Sequence, residues 1–204
     1  MTSEQDYYTI KSEERVSHAV HKSRFIASMA PRSDIKSVRE YIEKVKTDFP
    51  DATHHAYAYR LLDENSTSEK FYDANEPAGT AGRPMLAVLQ ANNLHNVVVV
   101  ASRYYGGIKL GHGGLTRAYR LCAALALEQA DCIKKEPMVR YIFTISYEQL
   151  GDLKHLLTVN KIDPGNIVYD ENIMVDTVFP LKREKEIIKG FQSLTRGSGN
   201  YRKA

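Results

Sequence analysis

Cysteine is scarce in this chain. Cys122 and Cys132 are the only two among 204 residues, too few for a disulfide framework and in keeping with a reducing compartment. If a helix runs from about Leu115 to Ala130, Cys122 packs inside it as a small hydrophobe. No apolar run approaches the ~18 residues of a membrane helix, so no membrane partner is expected. The opening residues, Met-Thr-Ser-Glu-Gln-Asp, are polar and carry acids, which argues against a secretory or transit peptide. A cytoplasmic location is expected. Charge of one sign is also lacking: the formal net charge is +3, so recognition must rest on local patches.

Several catalytic signatures are missing. Gly106 and Gly111 have Walker A separation, but His112-Gly113 stands where Lys-Ser/Thr would grip phosphates and Mg²⁺. Gly111, Gly113 and Gly114 are misspaced for a dinucleotide fingerprint. Neither H-E-x-x-H, C-x-x-C nor G-x-S-x-G occurs. His54, His55, Asp73, Glu76 and His112 form a candidate metal or acid–base cluster, yet adjacent strand residues point to opposite faces, so only one of His54 and His55 can join it. No metal, cofactor or catalytic residue is expected. A hydrolase using His54 or His55 with Glu76 remains the minor alternative.

What is present is concentrated in residues 101–120, which hold five of the twelve glycines, four Lys/Arg, three tyrosines and no acid. Val97–Val100 feeds in as a buried strand, and an amphipathic helix begins inside the segment. Orphan N–H groups and the helix dipole favour an anion there. Arg103, Lys109, Arg117 and Arg120 are candidate phosphate ligands, the last two sharing a helix face. Tyr104 or Tyr105 can stack a base, and one of the two is expected to be core. Gly106, Gly107, Gly111, His112, Gly113 and Gly114 complete the candidate nucleic-acid site by letting the backbone approach closely. A plain structural loop is the bland reading. Glu76, Gly79, Thr80, Gly82 and Arg83 form a supporting turn, in which Glu76 pairs with Arg83 or Arg103 and Asn75 tolerates positive φ.

Around this segment the pattern is mixed. Arg15–Val20 and Arg24–Met29 read as strands. Ser33 reads as the N-cap of a helix carrying Ile35, Val38, Ile42, Val45 and Phe49, which Pro50 stops. Ala56–Leu61 reads as a strand, Asp63–Glu76 as a mobile polar loop, and Pro84 or its neighbours as opening a helix through Leu89. Lys134-Lys135-Glu136-Pro137 reads as a linker between residues 1–133 and 138–204. Beyond it the order is β-α-β-β-α: Met138–Ser146, Gln149–Val159, Ile167–Tyr169, Ile173–Phe179 and Arg183–Leu194.

Four segments in order, Lys22–Ala27, Ala56–Arg60, Glu76–Pro84 and Arg103–Gly111, resemble the IMPACT family, specifically its bacterial YigZ/YvyE-like branch. The resemblance implies an α+β protein of two α/β sandwich domains. The first would resemble a ribosomal-protein/elongation-factor-G domain IV fold, the second a ferredoxin-like domain similar to domain V of that factor. It implies regulation of translation, with RNA or the ribosome as partner. A protein partner at loop 63–84 or at the C-terminal sheet edge is the alternative. The family's Asp-Asp-Gly-Glu-Pro-Ser turn stands here as Asp73–Ala78, without one acid, the glycine and the serine, which speaks against metal or nucleophilic chemistry. The tail after Leu194 leaves little room for a last strand, so the C-terminal sheet is left open between three strands, with an exposed edge, and four.

Overall fold

The computed structural model describes residues 6–62 and 66–204, which divide into two compact units, Tyr7–Lys135 and Glu136–Ala204. In the first unit β1 (Tyr7–Ile10) is followed by β2 (Glu14–Val20), β3 (Ser23–Pro31), α1 (Ile35–Asp48), β4 (His54–Leu62) and β5 (Thr67–Tyr72). Then come α2 (Gly82–Ala91), β6 (Val97–Tyr104), α3 (Gly111–Gln129) and β7 (Cys132–Lys135). An antiparallel five-stranded sheet has the order β2-β3-β6-β4-β5, and β1 pairs with β7 separately.

The valine run is apolar throughout because β6 is the central strand and both of its faces are covered. Val98 and Val100 join Val38, Tyr41, Ile42 and Val45 of α1 on one face. Val97, Val99 and Ala101 join Met85 and Leu89 of α2 and Leu115, Tyr119 and Cys122 of α3 on the other. The period-2 alternation of β6 therefore decides which of its later residues can reach α3.

Several expectations need correcting. Asp34, not Ser33, caps α1, accepting from the Ser37 N–H at 2.9 Å. The polar stretch after Leu62 contains β5, whose six residues are all exposed but are held by the β4 ladder; Asp63, Glu64 and Asn65 lie outside the described residues. Lys134 and Lys135 are paired into β7 through Tyr8 and Tyr7, leaving Glu136 and Pro137 between the strands. The helix expected from Leu115 opens earlier, at Gly111.

The second unit runs β8 (Met138–Ile145), α4 (Leu150–Val159), β9 (Asn166–Tyr169), β10 (Ile173–Pro180), α5 (Glu184–Thr195) and β11 (Asn200–Lys203). Phe143, Leu153, Leu157, Phe179, Ile187 and Phe191 form its core. Its antiparallel sheet has the order β11-β8-β10-β9. Of the two alternatives the sheet has four strands: the tail does return, through Arg196 at φ 51° and Gly197 at φ 81°. Gly199 then passes so close to Phe191 and Thr195 that a Cβ would stand 2.7 Å from each. The edges are β11 and β9.

Candidate functional site

Arg103 lies near the end of β6, opposite Phe25 of β3 and His54 of β4. Cross-strand partners share a face, so all three point to the α3 side, as Val99 and Ala101 do. One residue earlier, Ser102 faces α1, and there it meets His55, whose Nδ1 lies 3.0 Å from the Ser102 hydroxyl. The two adjacent histidines are separated as the alternation requires.

The Arg103 side chain is only 4% exposed. Its Nη1 donates to Glu76 Oε1 at 2.7 Å and its Nη2 to Ser23 Oγ at 3.3 Å. The Tyr119 hydroxyl donates to the same Glu76 oxygen at 2.7 Å. Burial, with the Glu76 charge added to it, pushes the Tyr119 phenol far above its ordinary range, so it stays a donor. The guanidinium also lies 5.4 Å from the ring centres of both Phe25 and Tyr105. A buried charge is tolerated only when paired and hydrogen-bonded, and Arg103 and Glu76 meet that condition together.

A tight turn delivers Glu76. Ala74 and Asn75 both take left-handed φ, 52° and 66°. The Asp73 carboxylate accepts from the N–H groups of Gly79, Ala81 and Gly82 at 2.9, 3.0 and 2.8 Å. It thereby satisfies the start of α2, where Ala81 offers no side chain. Thr80 is buried and donates to the Pro77 carbonyl, while Gly82 packs against the Tyr72 and Tyr57 backbones with no room for a Cβ. Arg83 is exposed and Glu76 pairs with Arg103 instead. The Ala74 carbonyl accepts from His54 Nδ1 at 2.7 Å, which leaves His54 Nε2 3.9 Å from Glu76 Oε1.

Opposite this cluster stands the N-terminus of α3. Leu110 supplies no side-chain cap and the first turn has no acid, so the leading N–H groups lack side-chain partners. Gly107 and Gly111 take φ of 80° and 67°, the left-handed conformation that glycine adopts without strain. Lys109, His112, Arg117 and Arg120 are exposed and form no ion pair among the described residues. A cavity of about 470 Å³ opens between the two halves, lined by His54, Glu76, Arg103, Tyr105, Lys109 and His112 among others.

The candidate residues therefore separate. Arg103 is not a surface phosphate ligand, because its charge is already matched by Glu76. Tyr105, 45% exposed, faces the cavity. Tyr104 turns away, half-buried beneath the Arg24 guanidinium at 4.4 Å, so neither tyrosine is fully core. Gly106 is required by packing: a Cβ would fall 1.9 Å from the Lys22 carbonyl oxygen. Gly113 and Gly114 lie in the first turn of α3, with an Arg117 nitrogen near the former. Tyr119 and Ser23 were not anticipated. Tyr119 had a signal, since it follows Leu115 by one turn on the inward face.

Residues 21–127, which enclose all of this site, match the model of the Impact N-terminal domain. The chain belongs to the IMPACT family. It is 33% identical over 196 residues to the IMPACT family member YvyE of Bacillus subtilis, covering 96% of this chain and 90% of that one. It is 34% identical over 180 residues to the IMPACT family member YigZ of Escherichia coli, covering 88% of each. Protein IMPACT of Homo sapiens is 37% identical over 94 residues, 44% of this chain and 29% of that protein. A crystal structure described as that of a hypothetical protein, 31% identical, superposes with a TM-score of 0.71 over 96% of each chain.

Proposed function

We propose that this IMPACT-family chain is a non-enzymatic regulator of translation that binds RNA or the ribosome through the α3 end of its first unit. One observation carries the reading. Lys109, Arg117 and Arg120 are exposed, with no carboxylate matching them among the described residues, around a helix start that lacks both a cap and an acid. Phosphates fit such a surface because helix N–H groups and cations both favour them. Arg103 has a different role, holding Glu76, Tyr119 and the floor of the cavity in place.

The fold supports this address. We read the first unit as the ribosomal-protein/elongation-factor-G domain IV type. The second, with its β-α-β-β-α-β order, we read as ferredoxin-like. Acid–base catalysis by His54 and Glu76 is disfavoured, because Glu76 Oε1 already accepts two bonds, one of them from a guanidinium. A protein partner is the second reading, favoured by the all-exposed edge strand β5 with its outward Phe71 and Tyr72; unpaired edges invite strand addition.

Cosedimentation with ribosomes and anisotropy titration of a single-stranded oligoribonucleotide test the choice. Arg117→Glu with Arg120→Glu should abolish both signals while the chain stays folded. Binding that survives this reversal and instead disappears on disrupting β5 would favour the protein partner.

A further inference from the structure

The cavity beside the helix start offers more than a polymer backbone uses. We infer that it seats one unstacked nucleotide, its phosphate at the N-terminus of α3 and its ring against Tyr105, an assignment that rests on the RNA reading above. At about 470 Å³ the space lies within the ~300–1,000 Å³ of ligand-binding cavities.

Its walls differ in chemistry as the parts of a nucleotide do. At one end the uncapped first turn of α3 and the unpaired Lys109 suit a phosphate. Along the side, the Tyr105 ring is partly open and is backed by the Arg103 guanidinium, a platform on which any base can stack. At the floor stands an acceptor: Glu76 Oε2 receives no hydrogen bond among the described residues. An exocyclic amine or a ribose hydroxyl supplies the donor it lacks.

An independent observation points the same way. The Glu76 side chain is only 4% exposed and lines this cavity, yet its Oε2 meets no donor among the described residues. Buried polar atoms in folded proteins are matched in the great majority of cases, and the exceptions call for a reason. A buried acceptor on the floor, an aromatic platform at the side and an anion site at the rim suit a nucleotide and exceed what a phosphate alone requires.

The sources of that nucleotide are a free mononucleotide and a splayed or terminal residue of RNA, and one experiment separates them. The full chain, isotopically labelled, is titrated with adenosine 5′-monophosphate, inorganic phosphate and a short single-stranded oligoribonucleotide, with amide shifts read by NMR. The expected result is that the mononucleotide shifts Gly111–Gly114 and Arg103 and binds roughly tenfold tighter than phosphate, because stacking adds to the anion contact. Tyr105→Ala, on the cavity rim, should weaken it by about tenfold or more while the remaining amide spectrum shows the fold intact. Phosphate binding as tightly as the mononucleotide would overturn the assignment, as would indifference to Tyr105→Ala. An oligonucleotide that binds while the mononucleotide does not would overturn the nucleotide seat and leave the RNA reading standing. Mononucleotide binding without oligonucleotide binding would support the seat and remove the RNA reading.

Discussion

Replacing Glu76 with alanine puts the buried network to its hardest test. The change removes the acceptor of two 2.7 Å hydrogen bonds, from Arg103 and from Tyr119. It leaves Arg103, 4% exposed, with only the 3.3 Å contact to Ser23 among its hydrogen bonds. Breaking a buried ion pair on one side costs about 3–5 kcal/mol, since the remaining charge stays desolvated. Against a total stability of about 5–15 kcal/mol this is a large fraction, and for a unit of this size it corresponds to roughly 10–20 °C in Tm. Because two units can unfold separately, the readout must be local. Hydrogen exchange of the Val98–Val100 amides in the central strand reports the first unit alone. Tyr119→Phe removes one bond to a charged acceptor and should cost about 1.5–3 kcal/mol. The double variant Glu76→Ala with Arg103→Met should lose less than the sum of the two single losses, because the stranded charge is gone. A cost below about 1 kcal/mol for Glu76→Ala, or simple additivity in the double variant, would refute the claim that these residues act as a paired unit.

Other consequences are quick to check. Gly106→Ala should destabilise the first unit strongly, since its Cβ would meet the Lys22 carbonyl at 1.9 Å. Gly107→Ala meets open space and should cost only the ~1–2 kcal/mol of a left-handed alanine, an ordering that thermal melts decide. Stability should also fall in mild acid. His95 is 3% exposed with neither ring nitrogen hydrogen-bonded, and burial holds its pKa down at about 4. The unfolded chain takes up this proton near pH 6.5 and the folded one only near 4, so the stability is present above 6.5 and is lost as pH falls through that window. The total is about 3 kcal/mol. Comparing melts of His95→Phe and the unchanged chain from pH 7 to 4.5 isolates the effect, and parallel curves would contradict it.

Much of this architecture was readable from residue order where one element carried its own period. The helix of Ile35–Asp48 and the valine strand announced themselves, as did the β-α-β-β-α succession after Pro137. Elements that depend on distant partners were not readable. β5 has no buried residue to mark it and exists through its ladder with β4. The β1–β7 pair joins residues more than a hundred positions apart. β11 follows a turn whose logic is the packing of Gly199 against Phe191.

The site shows the same limit more sharply. Its address in residues 101–120 was legible, as were the turn at Asn75 and the opposition of His54 and His55. Arg103 was read both with the surface cations and, beside Arg83, as a partner of Glu76, because nothing local distinguishes a buried arginine from an exposed one. Its neutralising acid arrives from 27 residues upstream, and its burial follows from pairing with Phe25 and His54 across the sheet. Tyr119, which completes the network, reads in sequence as one more inward helical residue.

The salt dependence of single-stranded RNA binding tests the central claim most directly. Each phosphate neutralised contributes about 0.7 to the slope of log K against log salt. Replacing Lys109, Arg117 and Arg120 together by alanine should therefore lower that slope by about 2 and weaken binding at low salt, with the fold unchanged. An unaltered slope in the triple variant would show that these cations do not meet the RNA backbone.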